Sequence, residues 1–131
     1  DKTIAMFNMD MVGRLQDDKL TIFGSGTSPR WEPELNVINE RTAFKLAFKP
    51  EGFGPSDHSS FYGKQIPVLH FFTGNHPDYH RPSDDWEKLN VPGMARVVSM
   101  LEALVVQTAN HPERPAYVEV KQAPTTQRGG N

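Results

Sequence analysis

The sequence predicts a three-layer α/β/α fold, and three observations carry that expectation. Short apolar strands alternate with helical segments along the 131 residues. One strand, residues 66–72 (IPVLHFF), is apolar on both faces, as a central strand covered by helices should be. A long segment, residues 90–108, carries Met94, Val97, Val98, Leu101, Leu104 and Val105 at helical spacing. Elements in this order place helices on a sheet, and the loops at the C-terminal ends of its strands carry the site.

Taken in chain order, residues 3–7 (TIAMF) read as a short buried strand at the very start. A domain that begins inside a strand, at Asp1 rather than Met, is expected to be a piece of something longer. Asp17-Asp18 make a turn into residues 19–23 (KLTIF), a second strand that Gly24-Ser25-Gly26 ends. Residues 28–41 suit a helix, with Ser28 as N-cap, Pro29 at the first helical position, and Trp31, Leu35 and Ile38 along one side. Residues 43–48 (AFKLAF) are a third strand, closed by Pro50. Residues 51–62 (EGFGPSDHSSFY) form a loop leading into a short helix. Pro67 limits pairing at the start of the 66–72 strand, and residues 73–85 (TGNHPDYHRPSDD) follow it as a polar loop. Asn90 caps the long helix, with Pro92 in its first turn. Beyond His111 the composition changes: residues 114–120 (RPAYVEV) are expected to run extended along the surface, and residues 121–131 (KQAPTTQRGGN) read as a flexible linker. The expected division is a folded unit over residues 1–112 and a tail over 113–131, with no internal repeat.

Composition narrows the function classes. Hydrophobic content of 37% and charged content of 23% fit a globular chain rather than a disordered one. A net charge of −2 implies no broad attraction to nucleic acid or to an anionic membrane. No stretch approaches the roughly 18 apolar residues that a membrane span needs. The absence of cysteine removes disulfides and thiolate metal ligands.

Polar residues collect where apolar strands end. Asp10 follows the first strand, Asp57-His58 lies in the loop after the third, and His76, Asp78, Tyr79, His80 and Asp84 follow the 66–72 strand. Aspartate and neutral histidine are good zinc ligands, and a hydrolytic zinc site also needs an open position for water and a carboxylate base. Each residue has a plainer reading: Asp10 capping a turn, Asp57-His58 capping the short helix, His80 an exposed loop histidine, His70 a core histidine, His111 a solvated residue at a helix end, and Trp31 and Trp86 packing residues, with Trp86 also suited to bordering a pocket. Residues 23–27 (FGSGT) lack the ending of a phosphate-binding loop and read as a turn. Adjacent Ser56, Asp57 and His58 do not by themselves build a serine triad.

Four segments, 8–15 (NMDMVGRL), 54–62 (GPSDHSSFY), 66–74 (IPVLHFFTG) and 76–84 (HPDYHRPSD), closely resemble in this order the family of zinc aminopeptidases that also contains the glutaminyl cyclases (peptidase family twenty-eight, bacterial leucyl aminopeptidase-like). The resemblance runs from about residue 3 to residue 108. It implies the C-terminal part of a zinc-exopeptidase, phosphorylase/hydrolase-like fold with a mostly parallel mixed sheet. It implies two zinc ions in the parent, with Asp10 ligating one and His80 the other. Tyr79 is implied as a donor to the developing oxyanion. Asp57 and His58 are implied as residues that hold ligands in place, with Asp84 in a similar supporting role.

The family's first His ligand, its bridging Asp and its Glu-Glu pair, one of which is the general base, precede the Asp10 motif and are absent here. The chain alone is therefore expected to be inactive. Alone it is also expected to self-associate or to need the missing N-terminal half, because apolar strand edges would be exposed. The parent implied is a secreted or periplasmic bacterial peptidase acting on peptides through a metal-activated water, its tail similar to a junction toward a PDZ-like domain. Two other readings stay open: a glutaminyl-cyclase-like acyltransferase, against which Tyr79 stands where those enzymes show Trp, and a non-catalytic peptidase-like scaffold.

Overall fold

The computed structural model describes residues 2–122. The linker expected over 121–131 lies almost wholly outside them. Seven elements follow in order: β1 (Met6–Met9), β2 (Lys19–Phe23), α1 (Trp31–Thr42), β3 (Lys45–Lys49), α2 (His58–Tyr62), β4 (Val68–Phe72) and α3 (Val91–Asn110), with 3-10 turns at Ser25–Thr27 and Trp86–Lys88. The strands form one mixed sheet in the order β1-β4-β2-β3. β1 runs parallel to β4, β2 parallel to β3, and β2 antiparallel to β4. The strand that is apolar on both faces is thus an interior one.

Alternation along the strands sorts the two faces of the sheet. Leu20 and Ile22 of β2 and Leu69 and Phe71 of β4 point to one side and meet Trp31, Leu35 and Ile38 of α1 and Val97, Met100 and Leu104 of α3 in one core. His70 and Val68 point to the other side, where α2 packs against β1 and β4. The three layers are therefore unequal, with two long helices on one face and one short helix on the other. No helix among the described residues is long and apolar enough to cross a membrane.

Several boundaries differ from expectation for local reasons. The first strand starts at Met6 rather than at residue 3, because its partner β4 begins only at Val68. Pro67 and Ile66 stand outside the ladder: Met6 N donates to Pro67 O (3.0 Å) and Ile66 N to Phe61 O (3.2 Å). α1 starts at Trp31, and Ser28 does not cap it. Ser28 is extended and buried, and its carbonyl accepts from Trp31 N. Ala43, expected in the third strand, closes α1 in the left-handed region (φ 55) with its N–H on Asn39 O. Asn90 does cap α3, accepting from Gly93 N. The buried side of α3 is Gly93, Val97, Met100, Leu104 and Thr108, which shares only Val97 and Leu104 with the expected stripe. Trp86 packs against little: it is 76% exposed and lies away from the cavity described below.

Candidate functional site

Because β1 and β4 are adjacent and parallel, the chain leaves both at the same edge of the sheet. The segment after β1 carries Asp10, and the segment after β4 carries residues 73–85. Hydrogen bonds tie the two exits together. Asp10 N donates to Phe71 O (3.3 Å), and both the N–H and the hydroxyl of Thr73 donate to Met11 O (3.2 and 2.6 Å). These bonds hold Met11 in the left-handed region (φ 57), a backbone state that costs a non-glycine residue on the order of 1 kcal/mol.

A cavity of about 830 Å³ opens at this edge. Asp10, Arg14, His70, Asn75, His76, Tyr79, His80 and Asp84 supply its polar wall, and Met11, Phe23, Pro55, Phe72 and Leu89 its apolar wall. Asp10 and His80, seventy residues apart in sequence, thus share one cavity with Tyr79.

Asp10 is exposed, and a relay orients its carboxylate. Asn8 Nδ2 donates to Ser56 Oγ (2.7 Å), and the Ser56 hydroxyl donates to Asp10 Oδ2 (2.6 Å). Asp57 stands at the N-terminal end of α2, exposed and making no capping bond with its side chain. His58 is wholly buried and stacks on His70, ring centroids 4.6 Å apart, and Phe23 also stacks with His70 at 5.4 Å. Neither ring nitrogen of His58 finds a hydrogen-bond partner among the described residues. Burial, reinforced by neighbouring His70, pushes His58 down to about 4. Burial also lowers His70, against an opposing pull from Asp10. Gly54 makes room for this pair, since a Cβ there would lie 3.0 Å from His58 Nε2.

On the other wall, the rings of Tyr79 and His80 stack at 3.8 Å, both exposed. His80 is left-handed (φ 51). The turn beneath it is closed by Tyr79 N on His76 O (3.2 Å) and Arg81 N on Asp78 O (2.9 Å). Asp78 accepts from Lys88 Nζ and Ser83 Oγ (2.7 Å each) and from Arg14 Nη1 (3.1 Å), and these partners hold its carboxyl well below the usual carboxylate range. Arg14 Nη2 donates to Asp84 Oδ1 (2.6 Å).

The arrangement offers a carboxylate and an imidazole, both of zinc-ligand type, with a phenol beside the imidazole. It does not make a metal site unaided. Among the described residues no group of three or more His, Cys, Asp or Glu side chains converges to hold an ion, whereas protein-bound zinc takes at least three protein ligands. Sequence reading singled out Asp10, Tyr79 and His80, which the fold brings to one cavity, and Asp57, which it leaves at the start of α2. It assigned no role at the site to Ser56, Asn8, Arg14 or Phe23. The first three lie inside the quoted motifs, but nothing in their local spacing shows what they touch.

A family model described as Peptidase family M28 matches residues 1–105. No curated protein matches the chain significantly. Among solved structures, the LapA aminopeptidase of Legionella pneumophila superposes with a TM-score of 0.71 at 22% identity, over 84% of this chain and 32% of that one. An aminopeptidase from Aneurinibacillus sp. strain AM-1 gives 0.68 at 27% identity, over 94% and 28%. BSAP, a zinc aminopeptidase from Bacillus subtilis, gives 0.65 at 21% identity, over 89% and 32%. The chain spans about a third of the length of these proteins.

Proposed function

The chain belongs to peptidase family M28, and from that membership we propose that it is part of the catalytic domain of a zinc-dependent aminopeptidase that removes N-terminal residues from peptides. The observation that supports this reading best is the convergence of Asp10, His80 and Tyr79 on one cavity from two loops far apart in sequence.

In this reading Asp10 and His80 each give one ligand to a zinc centre, and the remaining ligands and the general base come from outside residues 1–131. The roles of the chain's own groups follow from their surroundings. The Asn8–Ser56 relay fixes one carboxylate oxygen of Asp10 and leaves the other free. Tyr79 is half-exposed and lines the cavity, and its hydroxyl serves as a donor to an oxyanion. Phe23, Phe72 and Leu89 give the cavity an apolar wall against which a substrate side chain excludes water.

Zinc titration by calorimetry, paired with an aminoacyl-nitroanilide assay, tests the proposal. The 131-residue chain is expected to bind zinc weakly, to lose that binding on Asp10→Ala or His80→Ala, and to show no hydrolysis. Zinc binding indifferent to both substitutions would remove the ligand assignment. Zinc-dependent hydrolysis by the chain alone would remove the claim that the base lies outside it.

A further inference from the structure

Residues 73–85 contain no helix or strand, yet Tyr79 and His80 occupy a defined place on the cavity. His80 holds a left-handed backbone (φ 51), uncommon for a residue other than glycine although histidine adopts it more readily than most. A loop without helix or strand keeps such a place through contacts with the elements beside it. The turn bonds within the loop, Tyr79 N on His76 O, Arg81 N on Asp78 O, Asp84 N on Arg81 O and Asp85 N on Ser83 O, close its turns but do not fix it against the sheet.

Arg14 makes that connection. It lies four residues after Asp10, on the segment leaving β1, and its side chain is only 14% exposed. Its two terminal nitrogens divide between carboxylates on either side of His80. Nη1 takes Asp78, two residues before, and Nη2 takes Asp84, four residues after. A planar guanidinium with fixed donor directions sets both distances at once, which a lysine ammonium does not. Ser83 and Lys88 complete the shell around Asp78. The backbone on the Asp10 side is itself tied to Thr73.

We propose that Arg14 is a positioning residue that clamps the loop carrying Tyr79 and His80 to the turn carrying Asp10, and so sets the spacing between the two sides of the site. The clamp rests on reading these residues as one peptidase centre, although its physical action on the loop needs no metal.

Amide hydrogen exchange and the imidazole proton shifts of His80, measured by NMR on the metal-free 131-residue chain, test it. In Arg14→Met the amides of Tyr79 and Arg81 are expected to exchange about tenfold faster or more, as a local opening would allow. The ring-current shift that Tyr79 imposes on His80 is expected to collapse, while β4 and the start of α3 keep their protection. Arg14→Lys should recover part of the shift, because lysine reaches one carboxylate but not both. The pair Asp78→Asn and Asp84→Asn, on the loop itself, should reproduce the loss without touching the partly buried arginine. Unchanged loop amides and His80 shifts in Arg14→Met, or in the double aspartate variant if the arginine variant fails to fold, overturn the clamp. A loosened loop with unaltered zinc affinity leaves the clamp standing and counts against His80 as a ligand.

Discussion

At the scale of single residues, the site is shaped by side chains that hold other side chains. Ser56 stands between Asn8 and Asp10, so the orientation of the exposed carboxylate depends on a hydroxyl forty-six residues away. His58 shows the opposite case, a titratable ring buried without a hydrogen-bond partner among the described residues. Its depressed value has a consequence with a definite sign. As pH falls from 6.5 toward about 4, the unfolded chain takes up a proton that the folded His58 refuses, so stability decreases through that window. Above 6.5 both states are neutral at this residue and it contributes no slope. Urea midpoints at about pH 7 and about pH 5 are expected to differ more for the native chain than for His58→Phe, which keeps a ring in the stack and removes the titration. Equal differences in the two proteins would show that His58 does not carry the effect.

At the scale of elements, α3 is held at its start by one asparagine doing two jobs. Asn90 Oδ1 accepts from Gly93 N, and Asn90 Nδ2 donates to Leu15 O, both at 3.0 Å. The cap therefore also fastens the helix to the segment that follows the Asp10 turn. Gly93 is required beside it, since a Cβ there would come within 2.7 Å of Asn90 Nδ2. Asn90→Ala is expected to cost about 1–2 kcal/mol in urea denaturation. Asn90→Asp keeps the acceptor and loses the donor, and should fall between the two. A loss no greater for alanine than for aspartate would mean that the cap contributes nothing. Farther along, Arg96 fastens the same helix to Asp18 (2.5 Å) and to the end of α1 through Thr42 O (2.7 Å).

At the scale of the whole molecule, the two edges of the sheet are unlike. β3 carries Lys45 and Lys49 at its ends, charges that discourage strand addition. β1 (MFNM) carries no charge, and among the described residues it pairs only with β4. α3 has a matching defect. With 100° per residue, Met94, Val98, Leu101 and Val105 line the flank opposite the one formed by Arg96, Ala103 and Gln107. Val98 and Val105 are half exposed there. This explains why the expected stripe on α3 was broader than its buried side: the helix is apolar on two adjoining flanks, and this chain covers one fully and the other only in part, at Met94 and Leu101. The chain on its own is expected to self-associate through these surfaces. Sedimentation velocity over a wide concentration range should show growth in mass, reduced by Met9→Lys at the β1 edge. A monomer at every concentration would count against the expectation.

What the sequence determined by itself is what local pattern can encode. Apolar patterning located the four strands and the two long helices within a few residues, because burial of a strand face or a helix stripe selects apolar residues directly. Asn90 was legible as a cap because capping is a contact between near neighbours. Asp10, Tyr79 and His80 were legible because they stand in motifs whose order resembles a known family. Only the tertiary structure decided the rest. Ser56 on Asp10 and Arg14 between Asp78 and Asp84 join residues 46 to 70 positions apart, and no spacing rule reports such contacts. Ser28 lost its expected capping role to a buried extended backbone, and Trp86 stayed in solvent. Which flank of α3 is buried depends on what lies beside it, since an apolar residue records that it can be covered and its neighbours in space decide whether it is.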